Sequence, residues 1–441
     1  MTSRHRAILA CGLALSIVQV SSWASSDKPV ACDAGDGGLT LPSGFCASIF
    51  ADNLGHARHI VAAPNGDLYV NTSSSMSNEF TNAPGGFVIA LRDADKDGHA
   101  EITQRFGTTF QAGKPGGGTG IGVFNNHLYV EVDDKIVKYS LAKDNPVPTG
   151  DPAVVLSGLP MDGDHTAHAF AIAPDGALYV NSGSATNSCQ EKNRTLESPG
   201  EKPCAELDRR AGVWKYDANK TNQTFSPAER IVTGARNTLA LAVHDGALYG
   251  VIHGRDQLSD NWPKLYTSAQ NNELPAEILA RLAPGQDYGW PYCYYDASQE
   301  KAVLAPEYGG DGGKAEGDCA SKTQPIAAFP AHWAPEAIVF ATGSGFPESH
   351  RNGAFVSFHG SWNRTPAQQG FRVVFVPFSG GTAAPHKDFA TGFTGTKPPA
   401  DSKDAAQAPH RPMGLAIGPD GSLYVSDDIG GRIWKITAAT K

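Results

Sequence analysis

The feature that most limits the folds open to this chain is a short phrase repeated six times. A turn carrying Gly or Asn leads into an apolar strand, as in Pro64-Asn65-Gly66-Asp67-Leu68-Tyr69-Val70 and Asn125-Asn126-His127-Leu128-Tyr129-Val130. The other copies are Pro174-Asp175-Gly176-Ala177-Leu178-Tyr179-Val180, His244-Asp245-Gly246-Ala247-Leu248-Tyr249, Arg351-Asn352-Gly353-Ala354-Phe355-Val356 and Pro419-Asp420-Gly421-Ser422-Leu423-Tyr424-Val425. Asp-Gly and Asn-Gly supply the positive φ that a tight hairpin demands. Most copies follow an apolar strand, such as His59-Ile60-Val61-Ala62 or Gly414-Leu415-Ala416-Ile417, and precede another, such as Val213-Trp214-Lys215-Tyr216.

Each unit is a small antiparallel sheet that cannot bury both faces alone, and packing such sheets radially around a channel solves that problem. The expected fold is therefore all-β: a six-bladed β-propeller of four-stranded antiparallel blades, formed by residues 25–441 as a single domain. Gly 49 and Pro 30, with charged residues at 18%, suit many strands and tight turns better than long amphipathic helices. A β-sandwich is the competing reading, and recurrence of one Leu-Tyr centre weighs against it. The excess chain between the third and fifth copies predicts loops inserted on one face, where repeat folds build their sites. A strand from around Phe45 to Ala51 is expected to complete the last blade and remove an open sheet edge.

Arg4 and Arg6, the apolar stretch Ala7 to Val18 and the sequence Ser22-Trp23-Ala24 read as a signal peptide over residues 1–24, giving a periplasmic or secreted protein. Cys11 leaves with that leader. The remaining cysteines fall in neighbouring pairs, Cys32 with Cys46, Cys189 with Cys204 and Cys293 with Cys319, and disulfides are expected between them, although sequence alone leaves other pairings open. No Cys-x-x-Cys-His occurs, so a redox enzyme built from this chain passes electrons to an external acceptor. A net charge of -9 argues against a nucleic-acid partner, and no later segment is apolar enough to be a transmembrane span.

Candidate chemistry gathers on the loops that open units three to six. Met161-Asp162-Gly163-Asp164-His165-Thr166-Ala167-His168 places His165 as a candidate general base, with Asp164 a carboxylate able to orient it. Arg236 and Asn237 open the fourth unit and suit the carboxylates or carbonyls of a planar anionic ligand. His253-Gly254-Arg255-Asp256 and Asp287-Tyr288-Gly289-Trp290-Pro291 are glycine-bearing loops able to turn backbone oxygens toward a hard cation. The fifth unit adds Phe358-His359-Gly360-Ser361-Trp362-Asn363-Arg364, and the sixth opens with His410-Arg411. Three arginines meeting a histidine suit an anion bearing several carboxylates. Apart from these, Asp93-Ala94-Asp95-Lys96-Asp97-Gly98 with Glu101 resembles a calcium loop, but it is not an EF-hand because its twelfth position is Gln104. An ion there would brace a blade and do no chemistry; a solvated acidic hairpin is the plainer reading.

The string Asp164 to His168, the pair Arg236-Asn237, the block Tyr288-Gly289-Trp290-Pro291 and the block His359 to Arg364 resemble those of the glucose/sorbosone dehydrogenase family, over most of the mature chain. The resemblance implies a propeller that binds pyrroloquinoline quinone (PQQ) and calcium on its upper face and oxidises a sugar or a sorbosone-like aldehyde. It implies His165 as the base that takes the hydroxyl proton while hydride passes to the quinone, and Arg236 as the group that polarises the quinone oxygen. Asn237, Trp290, Arg364 and Arg411 would contact the cofactor, with Arg364 in place of a lysine found in glucose-oxidising relatives. Backbone oxygens of Gly254 and Arg255 would bind the calcium. Two other functions fit a six-bladed wheel: a calcium-dependent lactonase-type hydrolase, which needs carboxylates and amides at the channel centre, and a carbohydrate-binding propeller without catalysis.

Overall fold

The computed structural model describes Met1 and residues 32–73, 85–108, 118–341 and 345–439. The expected leader lies outside the described residues beyond Met1. Six antiparallel sheets form a closed wheel. Blade 1 comprises Ala57–Ala62, Leu68–Thr72, Val88–Arg92 and Ile102–Phe106, and blade 2 comprises Ile121–Phe124, His127–Val132, Lys135–Ser140 and Ala153–Ser157. Phe170–Ile172, Ala177–Ser182, Gly212–Asp217 and Arg230–Thr233 make blade 3; Ala240–His244, Ala247–Ile252, Glu277–Arg281 and Ala327–Phe329 make blade 4. Blade 5 is built from Pro335–Ala341, Gly353–Phe358, Arg372–Ser379 and Lys387–Ala390. Blade 6 takes Pro412–Ile417, Leu423–Asp427 and Ile433–Ala438 from the end of the chain and Phe45–Ala51 from its beginning, in the register Phe45↔Ala438 to Ala51↔Ile433. Blades 2 and 3 each gain a short parallel outer strand, Gln223–Thr224 and Gln286–Asp287.

The recurring turn joins the innermost strand of a blade to the second; Gly66, Gly176, Gly246 and Gly421 have positive φ there, as do Asn125 and Asn126 in blade 2, whereas Gly353 of the fifth copy already lies in the second strand of blade 5. The Leu-Tyr-Val strand that follows explains why the phrase is kept. Side chains alternate along a strand, so Leu68 and Val70 pack back against Tyr424 and Ile433 of blade 6, while Tyr69 packs forward with Leu128 and Val130 of blade 2. In the next blade Leu128 and Val130 face blade 1 and Tyr129 joins Leu178, Val180 and Trp214 of blade 3. The core therefore lies in wedges between blades rather than at the hub. Two of the tyrosines also reach across with their hydroxyls: Tyr69 donates to the Pro146 carbonyl and Tyr129 to that of Ala218, both at 2.9 Å.

The residue after Leu-Tyr-Val is polar, fully buried and turned toward the following blade in five of the six units: Asn71, Glu131, Asn181, Ser357 and Ser426. Asn71 Nδ2 donates to the Gly120 carbonyl (3.0 Å), Glu131 Oε1 accepts from His168 N (2.7 Å) and Asn181 Oδ1 accepts from Thr238 N (3.0 Å). Ser357 Oγ donates to the Met413 carbonyl (2.5 Å) and Ser426 Oγ to that of Arg58 (2.6 Å). Blade 4 has Val251 at this position, and Glu277 on its third strand fulfils the same role with Ala334 N (3.4 Å) and Gly254 N (2.8 Å). Each latch grips the beginning of a neighbouring innermost strand, where the loops of the candidate site arise.

Loops at this end of blades 3 and 4 are long, as the uneven spacing predicts. They are held by the disulfides Cys189–Cys204 and Cys293–Cys319, and Cys32–Cys46 anchors the closing strand to the segment before it, so all of the expected neighbour pairs are present. Arg255 and Glu307 form a buried ion pair inside the insert, which also receives the Trp262 indole N–H (2.9 Å). Among the described residues no helix is long and apolar enough to cross a membrane.

Candidate active site

Innermost strands begin, and second strands end, at the same face of the wheel, so the loops there surround one end of the channel. Blade 3 delivers His165, whose Nδ1 lies 2.8 Å from the Ser184 carbonyl oxygen. A carbonyl only accepts, so the proton sits on Nδ1 and Nε2 keeps its lone pair. Burial, and then the Arg236 charge, push the imidazole well below its ordinary pKa, which keeps it neutral with the Nε2 lone pair free. Asp164 does not orient this ring: its carboxylate accepts from Arg194 Nε at 3.0 Å, and the Ser184 backbone takes the orienting role.

Blade 4 delivers Arg236, only 3% exposed. Its Nε donates to the Asn187 carbonyl (3.0 Å), Nη1 to the Gly254 carbonyl (2.8 Å), and Nη2 to both Asn187 Oδ1 (3.0 Å) and Asp256 Oδ2 (3.0 Å). Asp256 is the hub of the network, accepting also from Arg194 (3.3 Å) and from Asn363 Nδ2 (3.0 Å), with His332 Nδ1 at 3.8 Å. Burial alone would raise its carboxyl, but Arg236 and Arg194 outweigh that and hold it well below the usual carboxylate range. Asn237 Oδ1 accepts from Asn181 Nδ2 (3.1 Å), so a latch residue sets its orientation. Gly183 is required between them: a Cβ there would meet His165 Cβ at 2.5 Å and Asn237 Oδ1 at 2.7 Å. Trp290 is buried against the Cys189–Cys204 disulfide, with its indole N–H on the same Asn187 carbonyl that Arg236 uses (3.0 Å).

The other arginines singled out from sequence are tied into the loops around these residues. Arg255 turns its side chain into the insert toward Glu307. Arg364 donates to the backbone carbonyls of Asn272 and Ala331 and to Glu273, and Arg411 donates to those of His359 (3.0 Å) and Gly360 (2.6 Å). These two guanidinium groups fasten the blade 5 and blade 6 loops. Asp93, Asp95, Asp97 and Glu101 join the third and fourth strands of blade 1, at the opposite end of the wheel.

Across the channel stands a second buried cluster that sequence reasoning did not assemble. Asp428 Oδ1 lies 2.7 Å from His359 Nε2, and Asp428 Oδ2 accepts from Arg58 Nη1 (2.5 Å) and lies 3.4 Å from His56 Nε2. Burial lowers His359 to about 4, with Arg411 adding to the shift and Asp428 opposing it. The face therefore carries neutral imidazoles with anchored guanidinium groups: it can accept a proton at His165 and stabilise negative charge developing beside Arg236.

Comparison with known proteins places the chain. It is 24% identical over 415 residues, 90% of each chain, to an uncharacterized protein of Borreliella burgdorferi. It is 29% identical over 231 residues to a pyrroloquinoline quinone-dependent pyranose dehydrogenase of Coprinopsis cinerea, covering 46% of this chain and 30% of that protein. The fold matches a Trichoderma reesei structure of carbohydrate-active enzyme family AA12 at a TM-score of 0.71 and 17% identity, over 93% of this chain and 100% of that one. The holo PQQ domain of the Coprinopsis cinerea pyranose dehydrogenase gives 0.66 and 20%, over 90% and 97%. A family model described as TrAA12-like matches residues 39–439, and the chain belongs to that family.

Proposed function

We propose that this protein is an exported quinoprotein that oxidises a sugar or a sugar-derived aldehyde, with PQQ as its cofactor and a separate protein or dye as the electron acceptor. The observation that carries this reading is His165, neutral, anchored through Nδ1 and open at Nε2, beside the buried Arg236. The relatives whose names specify PQQ support it, as does the donor set. Arg236 directs Nε, both Nη2 protons and one Nη1 proton to protein oxygens, leaving one Nη1 N–H for a ligand oxygen. That donor, with Asn237 and Arg58 nearby on the same face, suits a planar group bearing carbonyls and carboxylates.

Bound there, PQQ supplies the acceptor for the hydride that leaves the anomeric carbon. His165 Nε2 removes the proton of the anomeric hydroxyl, so that a cyclic sugar becomes its lactone. Arg236, fixed by Asn187 and Asp256, stabilises negative charge as it develops, and needs no reorganisation to do so. Asp256 and Trp290 act through their hold on Arg236 and Asn187. The Gly254 carbonyl uses one lone pair for Arg236, and in this reading its second lone pair and the Arg255 carbonyl bind calcium. A hydrolytic metal centre is less well served: among the described residues, the grouping of carboxylates with metal-ligand spacing lies at the far end of the wheel.

Reconstitution tests the proposal. Apoprotein given calcium and PQQ reduces an artificial dye when offered aldoses or sorbosone-like aldehydes. Lactone hydrolysis without quinone would replace this reading with a hydrolase, and tight quinone binding with no turnover on any sugar would leave a binding protein.

A further inference from the structure

The loop between the third and fourth strands of blade 1 draws four carboxylates together: Asp93, Asp95, Asp97 and Glu101 each offer an oxygen, and these oxygens lie within 4.8 Å of one another. The backbone of the loop serves one oxygen of each. Asp93 Oδ2 accepts from Gly98 N (3.0 Å), Asp95 Oδ1 from Asp97 N (3.1 Å), Asp97 Oδ1 from His99 N (2.9 Å) and Glu101 Oε2 from Ala94 N (2.7 Å). Asp93 shows that these bonds do not complete the loop. Its side chain is 8% exposed, yet its Oδ1 has neither water access nor a hydrogen-bond partner. A buried acceptor left in that state is unfavourable unless something else coordinates it. The Lys435 ammonium, 3.5 Å from Asp93 Oδ2, is shared with Asp420 at 3.1 Å and cannot balance the cluster.

An all-oxygen, multiply charged donor set selects a hard divalent cation, and its size and flexibility suit calcium over magnesium. Gln104, at the position where an EF-hand carries its bidentate glutamate, pairs with Ala90 inside the sheet, and Glu101 supplies the fourth carboxylate instead. The same loop grips the strand that closes the wheel. Ser48 Oγ donates to the Gly98 carbonyl (3.0 Å), His99 Nδ1 meets the Ile49 carbonyl (2.9 Å), and Ala100 N donates to that of Phe50 (2.8 Å). We propose that Asp93, Asp95, Asp97 and Glu101 bind one calcium ion, and that this ion braces the seam between blade 1 and the N-terminal strand of blade 6.

The site takes no part in the quinone reading, and its test uses the whole protein without quinone. Protein stripped with a chelator is titrated with calcium chloride by calorimetry and then followed through thermal unfolding, in parallel with the Asp95→Asn/Glu101→Gln variant, whose two positions are exposed. Expected is one bound calcium fewer in the variant, and loss of a calcium-dependent rise in Tm of about 3 °C at a hundred times Kd. Equal stoichiometry in the two proteins, or no calcium-dependent rise in the parent, would overturn the proposal. Glu101→Gln alone, which keeps the backbone-bonded aspartates, must weaken calcium binding at least tenfold; unchanged affinity would count against the site.

Discussion

Replacing Arg236 by lysine separates charge from geometry at the candidate site. The cation remains, but a single ammonium cannot reproduce a fork that reaches the Asn187 carbonyl, Asn187 Oδ1, the Gly254 carbonyl and Asp256 Oδ2 at 2.8 to 3.0 Å. Asn187 tolerates the change, because its carbonyl keeps the Trp290 N–H (3.0 Å) and its Oδ1 keeps Asp256 N (2.8 Å). Gly254 loses its guanidinium donor, and Asp256 exchanges a fixed partner for a mobile one. The loss of one or two charge-assisted hydrogen bonds costs about 2–4 kcal/mol of stability, readable as a lower urea midpoint. Turnover suffers more specifically, since a donor fixed before reaction is replaced by one that must reorganise: kcat is expected to fall roughly 10²- to 10³-fold. The assay is dye reduction at saturating sugar, with quinone affinity measured separately by tryptophan quenching. Turnover within tenfold of the parent, with quinone bound, would refute the argument that Arg236 acts through its fixed geometry.

His165→Ala is expected to lower kcat by about 10²- to 10⁴-fold while quinone still binds, and His127→Ala, at the start of the second strand of blade 2, to leave it near the parent value; equal losses would sink the assignment. Because His165 is depressed below 6.5 and acts as the neutral form, the acid limb of the kcat/KM profile should fall below pH 6.5, and a limb above it contradicts the burial argument. Glu336 is buried, with Oε2 lacking a hydrogen bond and 3.9 Å from Arg58 Nη2, and burial, opposed by Arg58, raises it from 4.5 to about 7. Its folded pKa exceeds the unfolded one, so its contribution is complete below 4.5 and is lost as pH rises through about 7. Glu336→Gln should therefore gain on the parent between pH 5 and pH 8, by up to ~3 kcal/mol in denaturant unfolding, and parallel curves at the two pH values would contradict it.

The wheel was legible because its determinants are local and periodic: Leu68, Tyr69 and Val70 alternate faces whatever the rest of the chain does, and Asn65-Gly66 fixes the turn before them. The expected pairing of Phe45–Ala51 with the last blade came from the need to cover an edge, and the register with Ile433–Ala438 meets it. Site residues on blade loops could be nominated from their place before an innermost strand, as His165 and Arg236 were. Their partners could not. Asn187 lies just before the Cys189–Cys204 loop and Arg194 within it, a stretch with no period to read, and Asp428 meets His359 and Arg58 only after the ring closes. Asp164 illustrates the limit of adjacency: it neighbours His165 in sequence, yet its carboxylate bonds Arg194. Likewise, the charge of Arg364 and Arg411 was visible, but not the backbone carbonyls that accept their hydrogen bonds.

The interlock of chain ends has a consequence for how the protein comes into being. Among the described residues Phe45–Ala51 finds its strand partner in Ile433–Ala438, so a nascent chain holds an unpaired strand until the last strand of blade 6 has been made. Contacts of such sequence separation are slow to form. The molecule cannot shut into its final shape early, and a chain lacking Ile433–Ala438 would lose both that partner and the wheel it completes.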